Sequence, residues 1–209
     1  MCPRAYRLGQ RQESSDKIRS RIVEAARKLL MAPGGLTEFS MENVAQKAGV
    51  TRLTIYNQFG SKVGLLEGVL DDIGRSGGIP ERLSAAFQRP DPNDCLDAVV
   101  EAFVQFWNAE RTAIRRLRSM AVLNPDFKGA KERDMLRRQV IETSLGRIME
   151  HKGRARDRFQ EILDTLMMLT SFESFDTLAQ SGTPVPKIVE RLQSLVHVTL
   201  GEDWKGRGT

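Results

Sequence analysis

The chain of 209 residues carries 32 Lys/Arg against 27 Asp/Glu, a net charge of +5, with 40% hydrophobic and 28% charged residues. That apolar content can bury a core, which excludes a wholly disordered chain, and the length accommodates one domain or two. The longest apolar runs, such as Leu166-Met167-Met168-Leu169, fall far short of the roughly 20 residues of a membrane span, and the Arg-rich start lacks the apolar stretch of an export signal, so no membrane contact is expected.

Two cysteines, Cys2 and Cys95, and two histidines, His151 and His197, lie far apart in sequence. They offer no disulfide framework, metal-ligand spacing or cofactor motif, so no metal and no cofactor is expected, and a reducing cytoplasm is the simplest compartment. The charge is uneven. Residues 1–62 hold 11 Lys/Arg against 5 Asp/Glu, whereas residues 63–209 hold 21 against 22. A basic end on a neutral body suits a polyanion, because Lys and Arg that neutralise phosphates release condensed counterions. A solvated basic arm would carry the same charge.

In chain order, residues 1–15 are polar, basic and without period, which predicts a flexible arm. Ile18, Ile22, Ala25, Ala26, Leu29 and Leu30 recur at helical spacing, predicting a helix over about 16–31 that exposes Arg19, Arg21 and Lys28 and stops at Pro33-Gly34-Gly35. Ser40 can cap a short second helix with Met41, Val44, Ala45 and Ala48 inward, ended by Gly49. Thr51 can cap a third, running to about Phe59 with Ile55 inward. Ser61 opens a fourth, carrying Leu65, Leu66, Val69, Leu70 and Ile73 to a stop at Gly77-Gly78 and Pro80. The remainder reads as helical throughout: from Asp91-Pro92, over Arg111 to Leu123, about Lys131 to His151, about Ala155 to Gln180, and Pro184 to Thr199.

Helix, tight turn through Gly49, helix is the geometry that presents a short helix to the major groove. Ala45 is small enough for a close crossing, and Gly49 tolerates a positive φ. The outward face of the second of these helices then offers Arg52, Thr54, Tyr56, Asn57 and Gln58: a charged fork, an amide able to pair bidentately with adenine, and hydroxyls suited to phosphate.

Over residues 39–62, FSMENVAQKAGVTRLTIYNQFGSK, the chain resembles the TetR family of bacterial regulators, with Val44-Ala45, Ala48-Gly49-Val50-Thr51, Tyr56, Phe59 and Lys62 in the family's pattern. The likeness is specific over about residues 16–75. It implies an all-α protein: a three-helix, homeodomain-like helix-turn-helix over 16–62, a connecting helix over 63–79, and a helical effector-binding and dimerisation domain over 80–205. It implies base contacts from Arg52, Leu53, Thr54 and Asn57 and phosphate contacts from Thr51, Tyr56, Gln58 and Lys62. Gln58 departs from the family's usual His and cannot become cationic. Lys62 would stand near a helix N-terminus, where phosphate is favoured.

The resemblance further implies a homodimer on a near-palindromic operator in double-stranded DNA, with half-sites about 34 Å or more apart. The last two predicted helices are where the family pairs, so Leu166, Met167, Leu169, Leu192, Leu195 and Val196 belong to that interface or to the monomer core; periodicity does not separate the two. Phe103, Phe106, Trp107, Met120, Met149, Met168, Phe172 and Phe175 suit a pocket for an apolar effector or ordinary core packing. The expected function is a ligand-responsive, DNA-binding repressor and not an enzyme, as no Gly-rich phosphate loop or nucleophile motif occurs. A regulator working without a small ligand, an activator and a helical interaction protein are the alternatives.

Overall fold

The computed structural model describes residues 4–124, 126–152 and 158–201, and among these every regular element is a helix. Two units are distinguished, the first formed by Met1–Ile73 with Thr112–Ala130 and the second by Gly74–Arg111 with Lys131–Thr209.

In the first unit, α1 spans Arg4–Met31. The segment expected as a flexible arm is therefore helical from Arg4 onward; only residues 1–3 of it lie outside the described residues. The lack of period there did not prevent a helix, since Arg, Gln, Leu, Glu and Lys all have good helix propensity and no proline interrupts them. The inward stripe is as expected, with Ile22, Ala25, Ala26 and Leu30 buried. Beyond it, the Arg116 guanidinium donates to the carbonyls of Leu30 and Ala32, satisfying acceptors that a helix C-terminus leaves open. A single turn, α2 (Gly35–Glu38), follows where only a stop was expected.

Helix α3 (Met41–Ala48) is capped by Ser40, whose hydroxyl accepts from Asn43 N at 3.1 Å, and ends at Gly49 with φ 63°. Helix α4 (Arg52–Phe59) is capped in the same way, Thr51 Oγ1 accepting from Thr54 N at 3.1 Å. These caps and the left-handed glycine fix the turn between the two helices. Helix α5 (Lys62–Ser76) packs Leu65, Leu66, Val69 and Ile73 into the same core as Ile22, Val44, Ala45 and Ile55. Gly68 has a packing reason that its sequence context hides: a Cβ there would lie 2.8 Å from Phe59 Cε1, so the absence of a side chain admits the Phe59 ring.

In the second unit, α6 (Ile79–Phe87) occupies a stretch expected as a break. Gly78 does take a positive φ of 70°, but Pro80 falls in the first turn, where its missing N–H costs nothing, so the pair starts a helix instead of ending one. Helix α7 (Pro92–Ala109) begins as expected, with the Asp91 carboxylate accepting from Asn93 N and Asp94 N at 2.8 and 3.1 Å. Helix α8 (Arg111–Leu123), which belongs to the first unit from Thr112 onward, and α9 (Gly129–Lys152) match their expected spans within two residues.

The long helix expected over about 155–180 is two helices, α10 (Phe159–Leu169) and α11 (Phe172–Gln180), and its expected start at Ala155 lies outside the described residues. Thr170 Oγ1 bonds back to Leu166 O at 2.8 Å, and Ser171, in extended conformation, accepts from Ser174 N at 3.1 Å. Both are local side-chain bonds that compete with continuing the helix. Buried donors take up the carbonyls freed at this break: Trp107 Nε1 reaches Thr170 O at 3.0 Å, and Arg137 reaches Met167 O and Thr170 Oγ1 at 2.7 and 2.8 Å. The last helix, α12 (Val185–Thr199), packs on α7, where His197 Nε2 lies 2.9 Å from the Asp97 carboxylate and Gln193 donates to Asp97 O at 3.0 Å. Residues 202–205, assigned from sequence to this domain, lie outside the described residues. No described helix is long and apolar enough to cross a membrane.

Candidate nucleic-acid interface

Helix α4 buries one residue, Ile55, keeps Thr54, Gln58 and Phe59 half-buried, and turns the rest of its surface outward. Arg52, Leu53, Asn57 and Tyr56 are exposed, Leu53 by 67% and Tyr56 by 41%, and Thr54 is half-buried. A leucine and a tyrosine so open to water have no packing reason to be there, whereas both suit a groove that offers thymine methyls and phosphates.

The polar side chains of this face have partners of their own. Arg52 Nη1 lies 3.1 Å from Glu42 Oε2, a carboxylate in the first turn of α3. Tyr56 first, and Glu42 second, hold the Arg52 guanidinium above the ordinary arginine value, so its charge is secure. Thr51 Oγ1 is engaged by Thr54 N and by the Thr54 hydroxyl at 2.9 Å, which places a structural cap at a position expected to touch phosphate. Lys62 Nζ donates to Phe39 O at 3.2 Å and stands 5.5 Å from the centre of the Phe39 ring. Gln58 is turned to α1, its amide donating to Ser15 Oγ at 2.9 Å.

The C-terminal end of α4 is gripped from α1 in two further ways. Arg19 Nη1 donates to Gln58 O at 2.6 Å, and its guanidinium lies 4.2 Å from the centre of the Phe59 ring. Charge on a terminal carbonyl and a cation over an aromatic face are both favourable. Glu42, Ser15 and Arg19 were not foreseen; each looks like an ordinary exposed residue of its own helix, and only the crossing of α1 and α3 against α4 gives it a partner.

The helix-turn-helix, its caps and its outward basic face coincide with a match to the family described as bacterial regulatory proteins, tetR family, over residues 22–69. That match covers the helix-turn-helix and leaves the rest of the chain outside it. No curated protein matches the chain by sequence. Solved structures similar to this chain include a TetR-like transcriptional regulator from Rhodococcus sp. RHA1, 21% identical, with a TM-score of 0.61 and coverage of 89% of this chain and 97% of that one. A tetR-family transcriptional regulator from Streptomyces coelicolor is 17% identical, with a TM-score of 0.62 over 89% of this chain and 80% of that one. NalD, the secondary repressor of the MexAB-OprM multidrug efflux pump in Pseudomonas aeruginosa, is 21% identical, with a TM-score of 0.59 over 89% and 96%. At these identities the likeness is one of fold.

The residues expected in an effector pocket or dimer interface divide by burial. Phe103, Phe106, Trp107, Phe172 and Phe175 form one buried aromatic cluster in the second unit, neighbouring ring centres standing 5.0 to 6.5 Å apart. Met149 is buried in that unit too, whereas Met120 belongs to the first unit. Met168 is 61% exposed and is thereby removed from any interior pocket of this chain: it sits one position from the end of α10, on the face opposite Leu166 and Leu169. Of the interface candidates, Leu166, Leu169, Leu192 and Val196 are buried within the single chain. Met167 is half-buried, and Leu195 is 43% exposed.

Proposed function

We propose that the chain is a homodimeric, cytoplasmic repressor that leaves a near-palindromic operator when its helical body binds a small apolar or amphipathic molecule. The observation that carries the DNA part of this reading is α4, with Ile55 alone buried and Arg52, Leu53, Tyr56 and Asn57 open to a groove. Residues 16–62 then read the operator, with base contacts from Arg52, Leu53, Thr54 and Asn57 and phosphate contacts from Tyr56 and Lys62. Lys62 exchanges its bond to Phe39 for a phosphate.

Dimerisation is supported by apolar side chains that the single chain leaves open on α10 and α12: Met168, Leu195 and Val198, the last 63% exposed. The aromatic cluster around Trp107 supports an apolar effector, since a ligand that opens and occupies this part of the body favours whichever arrangement of the dimer accommodates it. The effector must bind the DNA-free form more tightly than the DNA-bound one; a coupling of about 1–3 kcal/mol would change operator affinity roughly 5- to 150-fold. Repression, the role of NalD, accords with the shared fold.

The test is capture and sequencing of genomic fragments by the purified full-length protein, with the Tyr56→Ala/Asn57→Ala double variant as control. A few near-palindromic sites enriched by the parent and lost by the control are the expected result. Apolar and amphipathic compounds are then screened for release of those fragments. No enrichment from folded, dimeric protein would overturn the DNA reading, and operator binding indifferent to every compound would remove the effector.

A further inference from the structure

The Arg52–Glu42 pair is open to water on both sides, the two side chains being 53% and 72% accessible. An ion pair so exposed contributes little to folding, so its value must be sought elsewhere. It joins two helices: Glu42 is fixed by the first turn of α3, Arg52 is the first residue of α4, and Tyr56 stands one turn further along α4 on the same side as Arg52. The arginine is thus tied to α3 at the end of the helix that the groove receives first.

A guanidinium has five N–H donors in a rigid plane, and one of them, on Nη1, is directed at Glu42 Oε2. Holding that edge biases the plane of the whole fork. The remaining donors then point in a set direction, which is what reading the two acceptors of a guanine edge requires. A long side chain ordered before binding loses less rotamer freedom on binding. The carboxylate has an opposing effect as well, since it lies beside a surface that meets phosphates and repels them whatever the base sequence.

Resting on the reading of α4 as the base-reading helix, we infer that Glu42 is a specificity-determining positioning residue, which holds Arg52 in the plane that reads a guanine and lowers affinity for DNA of indifferent sequence. An acidic residue in a first helical turn also suits the helix dipole. That role alone would make Glu42 a matter of α3 stability, with no consequence for one particular base pair.

The experiment is selection from a randomised duplex library by the full-length protein and by Arg52→Ala, Glu42→Gln and Glu42→Ala variants, with affinities measured for the selected and unselected duplexes. Arg52→Ala is expected to lose the preference for one G·C pair in each half-site. Glu42→Ala, and Glu42→Gln to a smaller degree, are expected to lose about tenfold of the discrimination at that same pair while keeping the others. Both should bind unselected duplex a few-fold more tightly than the parent. If the Glu42 variants keep full discrimination at the pair that Arg52→Ala loses, or bind selected and unselected duplexes equally more weakly, the positioning role is overturned and the base-reading helix stands. If Arg52→Ala loses no base preference, Glu42 has nothing to position and the proposal falls, while a selected site that the variant still discriminates leaves base reading to Leu53, Thr54 and Asn57.

Discussion

The two units hold their polar side chains in different ways. Around α4, Arg52, Gln58 and Lys62 bond to Glu42, Ser15 and Phe39 through contacts that are exposed or half-buried. Around the break between α10 and α11, Trp107 and Arg137 make their bonds in the interior, and Asp97 and His197 meet between α7 and α12 with both side chains nearly closed to water. An exposed contact is close in free energy to its water-bonded alternative, so it can be exchanged for a phosphate or a base; a buried one leaves a desolvated group behind when it breaks. The first arrangement suits a surface that must rebond on binding. The second suits a scaffold with one preferred packing.

The buried side of this comparison is broken most directly by Trp107→Ala. The ring packs against Phe103, Phe106 and Phe172 and its Nε1 satisfies Thr170 O, so truncation opens a cavity and orphans a carbonyl. The expected loss is about 3–5 kcal/mol in urea unfolding. Cys95 provides a second reading of the same event. Its thiol is fully buried, and that burial pushes its pKa up, so in a Cys2→Ala background it should resist thiol reagents in the parent and react faster in the variant. A loss below about 1 kcal/mol would show that the cluster is loosely packed in solution, as a ready-made ligand cavity would be.

The body also has an exception to its own rule, in the apolar side chains it leaves outside. Leu195→Glu with Val198→Glu places two carboxylates on the open face of α12 without touching the buried Leu192 and Val196. Monomers by sedimentation are expected, together with loss of about 100-fold or more in operator affinity, as two half-sites no longer bind together. A dimer that persists with parental affinity would move the interface to another face.

How much of this was legible in the sequence follows the same division. The caps Ser40, Thr51 and Asp91, the left-handed Gly49 and the inward stripe of α1 act over three or four residues, and the local pattern shows them. Ile55 as the inward residue was legible too, because the turn through Gly49 leaves so short a helix only one inward side. The break at Thr170-Ser171 was not: the apolar period continues through it, and its cause is a pair of hydroxyl bonds and a buried arginine from α9. Leu192 and Leu195 look alike in sequence, and only the packing of α12 on α7 separates core from surface. Glu42, Ser15 and Arg19 escaped for the same reason, their partners being 10, 43 and 39 residues away.

The smallest expected effect concerns Gln58, which lies on the boundary between exchangeable and fixed contacts. Its amide holds Ser15, its carbonyl accepts from Arg19, and the Arg19 guanidinium rests on Phe59, so position 58 is part of the grip of α1 on α4. The related pattern has a histidine here. In Gln58→His the introduced imidazole has an ordinary pKa near 6.5, and a phosphate beside it would raise that value in the complex. The affinity gained from its charge is then fully present below the free-protein pKa and is lost as pH rises through the raised value. A few-fold tightening of operator binding between pH 8 and pH 5.5, relative to the parent over the same range, is the expected outcome in titrations at fixed salt. If the two profiles run parallel, the imidazole faces Ser15 as the amide does, position 58 belongs to the grip alone, and the proposed phosphate contacts reduce to Tyr56 on α4 and Lys62 at the start of α5.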